Sequence, residues 1–140
     1  MSATAYWLMK SEPGEWSWAD QVKAKVAPWD GVRNHQAANH MKAMHVGDRA
    51  FFYHTGAEKR IVGVVEIARL YYPDPGDKTG RFGIVDVRAV APVARPVTLA
   101  AIKAEPRLAR LALVRQARLS VMPVDPESWA LLCRLAGMGP

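Results

Sequence analysis

Four short segments of this 140-residue chain carry side chains able to grip a flat, polar ligand. Lys10-Ser11-Glu12-Pro13 follows an apolar run; a lysine can contact a phosphate, and serine and glutamate can hydrogen-bond a base edge. Trp29-Asp30-Gly31-Val32-Arg33-Asn34 sets an indole that can stack beside a glycine that lets a backbone come close. Its arginine and asparagine offer paired hydrogen bonds to phosphates and bases. In Phe52-Tyr53-His54-Thr55, strand alternation sends Phe52 and His54 to one face and Tyr53 and Thr55 to the other, so that one pair can line a pocket. Arg118-Leu119-Ser120-Val121 puts a basic group and a hydroxyl on one face of a strand. Each segment also has a structural reading: a strand exit, a core tryptophan with a helix-capping asparagine, a structural histidine, the solvent side of an edge strand.

Catalytic patterns fit less well. His35, His40 and His45 are five residues apart, which turns successive rings to different helix faces and misses the i, i+4 spacing of a zinc helix. Cys133 lies in an amphipathic helical stretch and reads as core rather than as a nucleophile. The acids are scattered, no pair is spaced for general acid–base work, and there is no glycine-rich phosphate loop. Gly63 falls inside a strand pattern, where it marks close packing or a bulge.

The elements that must position these residues follow from periodicity and breakers. Strands are expected over Ala5 to Met9, Arg49 to Thr55, Arg60 to Tyr72, Arg81 to Val93 and Leu119 to Val124. Helices are expected over Trp18 to Lys25 after Ser17, from Asn34 to about Met44, over Leu99 to Lys103, over Leu108 to Ala117, and over Pro126 to Leu135 after Asp125. Pro28 and Gly31 punctuate the gap between the first two helices, and Pro73 to Asp77 reads as the most mobile loop. Consecutive strands joined by turns argue for an antiparallel or mixed sheet in one α+β domain over residues 1–140.

Composition narrows the partner. The chain has 19 Lys+Arg against 13 Asp+Glu, a net charge of +6 and a pI near 9.8, which favours polyanions. Seven basic residues against one acid lie between Arg88 and Arg118, a candidate docking face for nucleic acid. One cysteine permits no internal disulfide, and with no leader-like start and no long apolar run the expected location is the cytoplasm, without a membrane.

Tyr6-Trp7-Leu8-Met9-Lys10-Ser11-Glu12-Pro13, Trp29-Asp30-Gly31-Val32-Arg33-Asn34, Gly47-Asp48 with Phe51-Phe52-Tyr53-His54-Thr55, and Arg118-Leu119-Ser120-Val121 together resemble the EVE domain family of the PUA-like superfamily. The resemblance runs from Tyr6 to the final helix. It implies a PUA-like small mixed β-barrel with flanking helices, and kinship with YTH and SRA-type domains, which hold one flipped-out modified base. The implied function is a nucleic-acid reader that holds a single modified base, such as a modified cytosine in DNA. Carried over by motif, the base pocket comprises Ser11, Glu12, Trp29, Gly31, Val32, Asn34, Tyr53, His54, Thr55 and Ser120; Lys10, Arg33 and Arg118 hold phosphates. DNA is preferred over RNA, and no catalytic residue, cofactor or metal is implied. An RNA-binding module of PUA or YTH type, an enzyme on a small nucleotide using Glu12 or His54, and a protein-interaction module are the alternatives. The chain departs from the family pattern at Thr55, where serine is expected, and at His35-Gln36-Ala37-Ala38-Asn39, where an aromatic followed by Gln-Ala-Arg-Asn is expected.

Overall fold

In the computed structural model, which describes residues 4–138, the first apolar run forms strand β1 (Tyr6–Ser11) near one end of a six-stranded sheet. Trp7, Leu8 and Met9 are all buried, as a strand covered on both faces requires. β1 pairs in parallel with β3 (Arg49–His54), from Tyr6 opposite Arg49 to Ser11 opposite His54. A parallel pair needs a long crossover. Here it consists of α1 (Trp18–Ala24), a short strand β2 (Val26–Pro28) and α2 (His35–Lys42). From β3 the chain runs antiparallel through β4 (Arg60–Pro73) and β5 (Gly83–Thr98). α3 (Leu99–Lys103), a 3₁₀ turn (Pro106–Leu108) and α4 (Ala112–Arg115) lead to β6 (Val121–Val124), antiparallel to β1, and α5 (Pro126–Leu135) ends the described chain.

Ser17, Asn34 and Asp125 cap the helices they were expected to cap, and Thr98 caps α3. Ser17 and Asp20 form a reciprocal capping box on α1. Asn34, Thr98 and Asp125 accept the N–H of Ala37, Ala101 and Ser128, and each such cap contributes about 1 kcal/mol. Trp129 of α5 stacks on Tyr6 at 4.4 Å and on Phe51 at 3.9 Å, which seats that helix on the sheet. Gly63 answers to both of its expected roles. The β4–β5 register shifts there, and a Cβ at this position would lie 2.6 Å from the Trp18 indole.

Three expectations need correction. Val26–Pro28 is a strand, not merely a break between helices. It is an edge strand: the neighbouring bonds from Ala89 N–H to the Lys25 carbonyl and from Trp29 N–H to the Val85 carbonyl turn the missing N–H of Pro28 away from β5. β5 continues through Pro92 and Pro96, because β2 covers it only from Asp86 to Arg88 and, among the described residues, no strand lies on the outer side of the rest. The helix expected over Leu108 to Ala117 is a turn plus the four residues of α4, which lacks a side-chain cap.

The α+β class holds, with strand order β2-β5-β4-β3-β1-β6, but the ladder is not closed: β2 and β6 are its two edges. Four register shifts along β4 and β5 bend the sheet. It curls far enough that residues from both ends line one cavity.

Candidate functional site

β1 leaves the core at Lys10, where the chain turns polar and one wall of a cavity of about 520 Å³ begins. Lys10, Ser11 and Glu12 come from this exit, Trp29, Gly31, Val32 and Arg33 from the loop after β2, and Ser120 from the residue ahead of β6. These are eight of the residues singled out by motif. Glu15, Trp16, Pro28 and Asp30 also line it, and sequence reasoning did not select them. Asp30 stands inside a motif chosen for its neighbours, and Trp16 lies between the motif blocks.

Each wall is held by identifiable bonds. Trp29 is 6% exposed, donates its backbone N–H to the Val85 carbonyl at 2.8 Å, and meets Phe52 edge-on at 5.4 Å. It is therefore core and cavity wall at once. Trp16 donates its indole N–H at 2.9 Å to Gln21, which is fully buried. The Ser11 hydroxyl donates to the Trp16 carbonyl at 2.6 Å. Glu12 accepts from the Thr55 hydroxyl and the Gly14 N–H, both at 3.3 Å. Gly31, at φ 78°, makes the turn that brings the loop back over the cavity, a conformation glycine adopts freely.

The two cations of the lining are already engaged. The Lys10 ammonium donates to the Ala117 carbonyl at 2.9 Å, its backbone N–H donates to the Ser120 carbonyl at 2.8 Å, and burial pushes its pKa down. Arg33 pairs with Asp74 at 3.1 Å and lies 5.7 Å from the Phe82 ring. Burial works to raise the Asp74 carboxyl. The Gly76 N–H, the hydrogen bond and charge of Arg33, and the Gly31 N–H outweigh it and hold the group below its usual range. Against these two cations stand three carboxylates, Glu12, Glu15 and Asp30. The lining thus has no positive excess, although the whole chain does.

Five motif residues lie outside this lining. Tyr53 is buried in the core, and His54 is a structural link. Its Nε2 accepts the Trp18 N–H at 2.9 Å, so the ring proton sits on Nδ1, facing Glu58 at 2.9 Å. Phe52 and His54 do share a face, in edge contact at 5.7 Å, but neither pair of that strand reaches the cavity. Thr55 acts through Glu12. Asn34 and Arg118 border a neighbouring recess of about 270 Å³ with Gln36 and Gln116. Ser120 and Arg118 are therefore separated, because β6 begins only at Val121 and no strand alternation aligns them.

The basic run does not line the cavity. Arg88 pairs with Glu66 and lies opposite Val26, Arg95 donates to the Arg134 carbonyl, and Arg107 pairs with Glu105. Arg107 and Arg110 border a third recess, of about 690 Å³, that none of the motif residues lines. The Pro73 to Asp77 loop is tied down as well, through Arg33–Asp74 and through Asp77, which accepts the N–H groups of Thr79 and Phe82. Among the described residues, no cluster of three or more His, Cys, Asp or Glu could hold a metal, and no helix is long and apolar enough to cross a membrane.

Comparison with known proteins agrees with the motif blocks. The EVE domain family model matches residues 5–135. Human thymocyte nuclear protein 1 is 32% identical over 167 aligned residues, spanning 94% of this chain and 74% of that protein. The NMR structure of a Rhodopseudomonas palustris protein superposes with a TM-score of 0.90 at 56% identity, covering 96% of this chain and 94% of the other. The crystal structure of human THYN1 protein in complex with 5-methylcytosine-containing DNA superposes with a TM-score of 0.87 at 31% identity, covering 98% of this chain and all of that one (100%).

Proposed function

The chain belongs to the EVE domain family, and from that premise we propose that it is a DNA-binding reader that holds one modified base, a modified cytosine, in the cavity between β1, the 28–33 loop and Ser120. The observation that carries this reading is the cavity's lining: two indoles, two hydroxyls and an excess of carboxylate within about 520 Å³. That volume falls in the range of small-ligand sites, roughly 300–1,000 Å³. Three carboxylates against two committed cations repel a phosphate and suit a neutral base that bears an amine. Cytosine offers such a donor at N4, and Asp or Glu is the side chain that accepts it. Asp30 and Glu12 fill that role here, Trp16 and Trp29 give the apolar faces, and Ser11 and Ser120 meet the remaining edge. Extruding a base from a duplex costs a few kcal/mol, which stacking and edge bonds offset. The human relative crystallised with 5-methylcytosine-containing DNA supports DNA as the partner.

No turnover belongs to this reading. Ser11 is bonded to Trp16, Lys10 to Ala117 and Glu12 to Thr55, so the hydroxyl and amine at the β1 exit are held by structural partners. The curled sheet is a PUA-like barrel left open between β2 and β6, with the base entering beside that gap. A cytoplasmic location goes with the single buried cysteine.

The test is titration of matched DNA duplexes with and without 5-methylcytosine, followed by fluorescence anisotropy. The modified strand is expected to bind more tightly, by about tenfold if one base contact decides it. Equal affinities would overturn the modified-base reading and leave general DNA binding.

A further inference from the structure

We propose that the recess beside the cavity is a second nucleotide subsite, which reads the base flanking the one in the cavity and favours guanine there. The inference rests on the reader function just proposed.

The two depressions share a wall. Arg33 lines the cavity and Asn34 the recess; Ser120 lines the cavity and Leu119 the recess. The boundary is crossed by one residue step on each side, and the Lys10 bond to the Ala117 carbonyl fixes it from behind. Neighbouring nucleotides of one strand therefore meet neighbouring depressions.

The chemistry changes across that wall. The cavity holds three carboxylates, whereas the recess is lined by Asn34, Gln36, Gln116 and Arg118 and has no acid. Amides and guanidinium are the groups that pair with purine edges: arginine with the O6 and N7 acceptors of guanine, asparagine or glutamine with adenine. Arg118 decides for guanine, because its guanidinium is the only charge in the recess lining and only donates. These ends are uncommitted. No carboxylate of the described residues lies within ion-pair distance of Arg118. Asn34 uses its amide oxygen on the Ala37 N–H, which leaves its NH₂ to donate. A volume of about 270 Å³ suits a base laid against the surface rather than enclosed.

The experiment measures anisotropy with 5-methylcytosine duplexes in which the base on either side of the modified one is each of the four in turn, and with the same set unmodified. Wild-type protein is expected to favour guanine at one flank on the order of tenfold over a pyrimidine. Arg118→Ala should flatten that preference and keep the ratio of modified to plain affinity. Arg118→Met should flatten it as well, since it keeps the unbranched stem but has no donor for O6 or N7. Arg118 is exposed, so both variants are expected to melt with wild type.

A wild type indifferent to both flanks overturns the subsite. So does an Arg118→Met variant that keeps the preference, or an Arg118→Ala variant that weakens every duplex equally, for either result removes Arg118 from the base edge. Loss of the modified-to-plain ratio in wild type is a separate failure: it overturns the modified-base reading, while a flank preference that vanishes in Arg118→Met still shows the recess reading a base.

Discussion

Trp29 and Asp30 are adjacent in the chain and differ in what their removal does. Trp29 packs edge-on against Phe52 and is 6% exposed, so Trp29→Ala opens the core as well as the cavity. Its cost is about 3–5 kcal/mol, read as a lowered urea midpoint, and lost DNA binding in that variant reports on folding as much as on stacking. Asp30 is exposed and sits on the lining without a hydrogen-bond partner for its side chain among the described residues, so Asp30→Asn should leave the midpoint unchanged. The carboxylate only accepts, whereas the amide can also donate to the O4 of thymine. Asp30→Asn is therefore expected to cut the preference for cytosine over thymine at the read position by about tenfold, measured with duplexes that differ at that one base. An unchanged ratio would remove Asp30 from the base edge.

The loop between β4 and β5 is the element whose behaviour departs most from its composition. Two prolines, a glycine and two aspartates read as mobile, but the aspartates close it. Asp77 takes the Thr79 hydroxyl and the N–H groups of Phe82 and Thr79, which lower its pKa from 3.8 to about 2. Asp74 is lowered too, by the partners that hold it to Arg33 and the 28–33 loop. Both folded values lie below the unfolded ones, so this tethering is fully present above about pH 4 and is lost as pH falls through the folded values. Amide spectra should show Thr79 and Phe82 shifting together between about pH 4 and 2, and Gly76 shifting below the ordinary carboxylate range with Asp74, ahead of any change in β1 or β3. Movement of these signals at the ordinary carboxylate pKa would mean that the carboxylates do not hold the turn. Because Asp74 also anchors Arg33, the cavity rim loosens as pH falls below the ordinary carboxylate range.

Over the whole molecule, a charge of +6 draws the protein to DNA, but the fold decides how much of it touches the strand. Arg88 pairs with Glu66 opposite β2, whereas Arg95, Arg107 and Arg110 gather with Arg134 at a recess that shares no lining residue with the cavity. The salt dependence of binding should therefore be shallow, with a log–log slope of about −2 to −4 rather than the roughly −6 of seven joint phosphate contacts. Arg107→Ala and Arg110→Ala are expected to leave that slope unchanged; a decrease of about one unit for either would restore a continuous basic face. Much of the architecture was legible in the residues. Apolar runs placed five of the six strands, and Ser17, Asn34 and Asp125 announced helix starts, because caps and alternation are local physics. The motif blocks likewise located the three segments that build the cavity. What the chain could not disclose is which way each polar side chain turns once those segments meet. Lys10 and Ser120 stand far apart in sequence and become hydrogen-bonded neighbours only when β6 adds to β1. β2 owes its existence to the edge of β5 and not to its own three residues. Tyr53 and His54 were drawn inward, and Asn34 and Arg118 to a second recess, by the long-range register of the curled sheet, which no local pattern encodes.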